Sequence, residues 1–245
     1  MSQIDDGVAA ALKRLLSKPL DTATQAEKKR YSELVSQAVA LALAAELRGR
    51  GMREARPTAP GEFADSGAER RMSGGIGAKK VDVTWTTPES GLLLGISIKT
   101  INFRDTKTKN FQKNLTNRRS DMLVEAVTLH RRFPYAVLAG FFFLDKGAAA
   151  DSTSKRRSTF YNAHARMKLF TGRADPAGRD EQFERLYIFL LDAGTASYDL
   201  KAYSVGVPEK TKPLSAIIDE LIALVAERNP DFYEVQDGKL IPVKS

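Results

Sequence analysis

Apolar residues recur every three or four positions in "IDDGVAAALKRLL" and "EKKRYSELVSQAVALALAAEL". This spacing predicts helices over about 4–17 and 27–48, the first stopped by Pro19 and the second punctuated by Gly49 and Gly51. From Gly49 to Gly77 no period is sustained, and Gly, Pro, Arg and Ala predict a long loop with a short helical turn near Glu69. The period then switches to two. "KKVDVTWTT" alternates, "PESG" is a turn and "LLLGISIKT" is apolar and extended, so 79–87 and 91–100 are expected as a hairpin.

After a polar, basic loop, "RRSDMLVEAVTLHRRF" predicts a helix of about four turns ended by Pro134. "YAVLAGFFFLD" reads as a strand buried on both faces. A helix is expected near 155–170, strands at "RLYIFLLDAG" and "SYDLKAYSVG", a helix at "PLSAIIDELIALVAERN" and a small terminal hairpin. Helices, hairpin, helix, buried strand, strands and helix in that order indicate an α/β (α+β) protein, a mixed central sheet flanked by helices. Residues 1–50 are expected as a helical segment packed on a core formed by 51–245, the two making one compact unit.

Composition narrows the chemistry. No cysteine is present, which excludes disulfide, zinc-thiolate and cysteine-nucleophile readings, and only His130 and His164 are available as imidazoles. Apolar runs are too short to span a membrane, so a cytoplasmic protein with no membrane partner is expected. The 245 residues carry a formal net charge of +8. The cations cluster in "KTKNFQKNLTNRR", "HRR", "SKRR" and "ELRGRGMREAR". Such clusters suit a phosphate backbone through counterion release.

Asp82 and Lys99 fall on the two expected strands. Phosphodiester hydrolysis assisted by Mg²⁺, with Mn²⁺ as a substitute, needs hard oxygen ligands and a cation near the attacking water or the phosphate. The side-chain period of two puts Ser97 and Lys99 on one face, turns Ile96 and Ile98 into the core, and leaves Ile98 to offer its carbonyl. "GGIGAKK" lacks the spacing of a phosphate-binding loop and precedes a strand, so its glycines are expected to allow a tight approach to the Asp strand.

Residues 74–138 resemble the PD-(D/E)xK, or restriction-endonuclease-like, nuclease superfamily. Its pattern is an Asp on one strand, (D/E)-x-K on the next, and a helix packed on the sheet. Asp82 and Lys99 match, Val81 replaces the Pro before the Asp, and Ser97 stands where an acid is expected. The resemblance implies a replacement carboxylate from the following helix. Glu125 borders the apolar stripe of Met122, Ala126 and Leu129 and is the first choice; Asp121, further toward solvent, is the second. Glu69 and Glu46 are additional upstream acids.

In that scheme Asp82, the Ile98 carbonyl and Glu125 would hold the metal, Lys99 would orient water or neutralise charge, and Ser97 would bond a metal water. The expected activity is cleavage of double-stranded DNA by a homodimeric, type II-like restriction endonuclease with a cognate methyltransferase. Lys79, Lys80, Lys107, Lys109, Lys113, Asn114, Asn117, Arg118 and Arg119 are the expected DNA contacts. The rival readings are a nuclease-fold DNA-binding protein without cleavage, a repair or phage-defence nuclease, and a basic scaffold for an acidic protein. Trp85 and the "GFFFL" run are expected in the core, His130 at a helix end, and His164 on a helix surface.

Overall fold

The computed structural model describes residues 3–15, 17–58, 70–174, 176–193 and 199–243. Glu69 and the helical turn expected beside it lie outside the described residues. Helix α1 covers Gln3–Lys13 and α2 covers Gln25–Gly49. Thr24 caps α2 in a reciprocal box with Glu27, and Tyr31, Val35, Val39, Leu43 and Leu47 form its buried stripe.

Strands β1 (Arg70–Ser73) and β2 (Ala78–Val81) form a separate antiparallel pair. The central sheet contains β3 (Val83–Thr87), β4 (Gly91–Ile101), β5 (Val137–Asp145), β6 (Arg185–Asp192) and β7 (Asp199–Ser204), in that spatial order. β4, β5 and β6 run parallel, and β3 and β7 are antiparallel flanks. Helix α3 (Leu115–His130) crosses from β4 to β5, and α4 (Thr159–Met167) lies between β5 and β6. Helix α5 (Leu214–Arg228) follows β7, and β8 (Tyr233–Gln236) and β9 (Lys239–Pro242) form a terminal hairpin.

The chain is thus mixed α/β, with a five-stranded mixed sheet between two helical layers. α1, α2 and α5 share one core with Ile96, Ile98, Phe141 and Phe189. Met122, Ala126 and Leu129 of α3 and Phe160 of α4 share the other with Leu138, Phe142 and Ile188. Trp85 and Phe141–Phe143 are buried, as their patterning implies.

The single strand expected over 79–87 is instead two. Its ladder with β4 ends at Val83↔Ile96, and Asp82 sits in a bend between β2 and β3. The Ile98 N–H donates to Asp82 Oδ2 at 2.6 Å, so a side chain replaces the next ladder bond and β2 is released to pair with β1. Part of the stretch expected as loop up to Gly77 is therefore strand. The β1–β2 turn docks on α3, where the Gly75 N–H donates to the Thr128 carbonyl at 2.8 Å. A Cβ on Gly74 would lie 2.4 Å from the Thr128 carbonyl oxygen, so this contact requires a residue without one.

At the opposite end of the sheet, Glu184 is fully buried among cations. It accepts from Arg173 at 3.1 Å, pairs with Arg228 at 3.2 Å and with His130 at 3.3 Å, and takes the Leu138 N–H at 2.7 Å. Burial pushes its carboxyl up, but the His130 bond and the other donors outweigh it and hold the group below its usual value. His130 is thus a buried structural member at its helix end. Glu184→Ala would leave two guanidinium groups buried without their carboxylate, and we expect a loss of about 3–5 kcal/mol in urea unfolding. A variant as stable as the parent would contradict this.

Candidate active site

Strand β4 brings the chemistry to one place. Ile98 is buried against α2's side of the sheet, so Ser97 and Lys99 face α3. In an antiparallel pair the N–H and carbonyl of one residue face the same neighbour. Since the Ile98 N–H meets Asp82 beyond the last β3 pair, the Ile98 carbonyl faces the same opening.

A carboxylate from α3 reaches the Ser97 and Lys99 side chains. Glu125 is 4% exposed, and its Oε2 accepts from Ser97 Oγ and from Lys99 Nζ, both at 3.1 Å. Small residues make this reach possible. Ser97 pairs in register with Gly140 on β5, and a Cβ on Gly140 would come within 2.3 Å of the Met122 and Leu186 side chains. α3 therefore lies close to the sheet at the level of Ser97.

Lys99 is mostly buried, which by itself would depress its pKa. The adjacent Glu125 and Asp82 carboxylates outweigh burial and raise it, so the ammonium stays charged. Asp121, one turn before Glu125, adds to that field, but its own side chain is largely exposed and pairs with Arg118 at 3.6 Å.

Asp82, Ile98 and Lys99 line a cleft of about 620 Å³. One wall is the loop after β4 with the start of α3, where Lys113, Asn114 and Arg118 line the cleft. The other wall is α2, through Lys28, Lys29, Ser32, Glu33 and Ser36. The loop is tied down by Asp105, whose carboxylate accepts from Lys113 Nζ at 2.7 Å, the Lys107 and Thr108 N–H groups and the Thr108 hydroxyl. Lys113 and these donors hold the Asp105 carboxyl far below the usual range.

The other expected DNA contacts are dispersed. Lys107 and Lys109 sit on the exposed loop and Asn117 on the exposed side of α3, while Lys79 and Lys80 are on β2. Arg119 turns away onto the Phe170 ring, 5.7 Å from its centroid. The α2 wall lies outside the residues expected from the sequence. Gln25, Lys28/Lys29, Ser32 and Ser36 mark a polar helical face, but helical periodicity does not say which strand that face overhangs.

Two carboxylates and a carbonyl are the hard oxygen donors that suit Mg²⁺, which keeps several waters and takes only one or two protein carboxylates. Among the described residues no group of three His, Cys, Asp or Glu side chains is placed to hold a metal unaided. Of the site candidates, Asp82, Ile98 and Lys99 line the cleft, whereas Ser97 and Glu125 are buried behind Lys99 and do not line it. Glu46 is also outside it, paired with Arg50 at 2.9 Å, and Arg50 also binds Asp219.

The ion pair makes a direct prediction. A lysine whose folded pKa is raised contributes stability that is complete below its unfolded pKa and is lost as pH rises through the folded value. Glu125→Gln leaves burial opposed mainly by Asp82, so the Lys99 ammonium pKa should fall from its raised value. Side-chain NMR of Lys99 would show this, and an unchanged midpoint would mean that the Glu125 contact does not form in solution.

Comparison of the chain with known protein families, curated proteins and solved structures gives no match, so the chemistry of the cleft must be argued from its own atoms.

Proposed function

We propose that this chain is a Mg²⁺-dependent endonuclease of the PD-(D/E)xK kind that hydrolyses phosphodiester bonds in double-stranded DNA, most simply as a type II-like restriction enzyme. The observation that carries the reading is the Glu125 carboxylate, delivered by α3 to the Ser97 and Lys99 side chains beside Asp82. It supports an acid relocated from strand to helix.

Asp82, Glu125 and the Ile98 carbonyl would hold the metal, which would supply Lewis-acid stabilisation of the phosphate and a more acidic water. Lys99 remains protonated between Glu125 and Asp82, suited to neutralise charge on the pentacoordinate phosphate or to hold the attacking water. Ser97 anchors Glu125, and its hydroxyl oxygen would accept from a metal-bound water. Lys28, Lys29, Lys113 and Arg118 attract the backbone from both walls. Cutting both strands requires two such centres, hence a homodimer.

A second reading, a DNA-binding protein of this fold without cleavage, is favoured by one feature. Asp82 Oδ2 and Glu125 Oε2 are both engaged by internal donors. Plasmid cleavage separates the two. With Mg²⁺ or Mn²⁺, but not EDTA, the protein should cut supercoiled DNA, and Asp82→Asn, Lys99→Ala and Glu125→Ala should each slow cutting by about a hundredfold or more. Salt-sensitive binding without cleavage in either metal would establish the second reading, and neither binding nor cleavage would exclude both.

A further inference from the structure

A second pocket, of about 560 Å³, lies between α4 and the turn after β7. His164 lines it and is 3% exposed, so the surface position expected for it is wrong: α4 turns this residue inward beside Phe160 and Tyr203. Its Nδ1 accepts the Gly206 N–H at 3.1 Å. A ring nitrogen that accepts carries no proton, so in the neutral imidazole the proton is on Nε2. Burial lowers the His164 pKa to about 4 and keeps the ring neutral near pH 7. Nε2 is itself buried and has no hydrogen-bond partner. A buried donor left unpaired is costly, which makes an acceptor brought by a ligand favourable.

The rest of the lining says what kind of ligand. Tyr161, an exposed residue, contributes an aromatic ring, and Arg157 and Lys168 add two exposed cations. Ser152 contributes a hydroxyl, and Glu209 contributes an acceptor suited to an amino group and unsuited to a naked phosphate beside it. The volume falls in the range of small-ligand sites, about 300–1,000 Å³. A planar base with an attached phosphate meets all of these groups, and inorganic phosphate alone leaves Tyr161 and Glu209 unused.

We infer that the pocket between α4 and the Gly206–Glu209 turn binds a phosphorylated nucleotide, with the base on Tyr161, the phosphate drawn by Arg157 and Lys168, and a ligand acceptor completing the His164 Nε2–H. The inference is independent of the nuclease reading, because none of these residues lines the Asp82–Lys99 cleft. The nucleotide comes either free or as the 5′-phosphorylated end of a strand.

The two histidines make the test direct, since His130 serves as an internal reference for His164. Imidazole ¹H–¹⁵N spectra would be recorded in EDTA while deoxynucleoside 5′-monophosphate is added to the full chain. The His164 signals should shift saturably with His130 unmoved, and Tyr161→Ala and Lys168→Ala, both at exposed positions, should each weaken binding about fivefold or more. In the Asp82→Asn background, 5′-phosphorylated and 5′-hydroxyl oligonucleotides identify the source: a response to the phosphorylated strand alone assigns a strand end, and a response only to the mononucleotide assigns a free ligand. No shift of His164, or a shift indifferent to both variants, overturns the proposal.

Discussion

One carboxylate organises the charged cluster at the floor of the cleft. Glu125 leaves helix α3, enters the space above β4 and accepts from both Ser97 and Lys99. Burying a carboxylate and an ammonium removes both from water, a cost that only good geometry and further hydrogen bonds offset. Ser97 supplies the added bond, and Asp82 supplies a second negative charge near the ammonium. Remove Glu125 and Lys99 loses its nearest counter-charge; remove Lys99 and two carboxylates lose the cation that separates them. The two carboxylate charges thus keep the Lys99 ammonium protonated.

Steric room makes that unit possible. Gly95, Ser97 and Gly140 leave a shallow hollow on the sheet face under α3, and a Cβ on Gly95 would already lie 3.0 Å from Leu138. A long side chain at position 97 would occupy the volume that Glu125 fills, so an acid on the strand and an acid on the helix are alternatives within the same space. The β1–β2 turn closes over α3 at Thr128, one turn beyond Glu125, and holds the helix against the sheet. On the sheet's other face, α2 is fixed by its stripe from Tyr31 to Leu47, and its polar edge overhangs the cleft. The N-terminal helices are therefore part of the site's wall as well as of the core.

Much of this was legible in sequence where it depends on local period. Alternation gave the strands, three- and four-residue spacing gave the helices, and the angular position of Glu125 beside Met122, Ala126 and Leu129 pointed it at the sheet. What was illegible depends on non-local partners. The break at Asp82 arises because a side chain from one strand takes a backbone N–H of another, and no pattern within "KKVDVTW" announces that. The burial of His164 follows from a bond to Gly206, forty-two residues away. The contribution of α2 to the cleft follows from packing on the distant β4, and Arg119, one residue beyond Arg118, is diverted by Phe170. Net charge could not sort cations held in pairs away from the cleft, such as Arg131 with Asp180, from those lining it, such as Lys28.

The most direct measurement of the relocated-acid claim is a charge-swap cycle on cleavage rate: Glu125→Ala alone, Ser97→Glu alone, and the two together, each checked for folding by circular dichroism. If position 97 and Glu125 share one space and one role, Glu125→Ala cuts slowly, Ser97→Glu alone crowds two acids together, and the double variant recovers activity that neither single variant has. A Glu125→Ala protein that folds and cuts DNA as fast as the parent would contradict the claim.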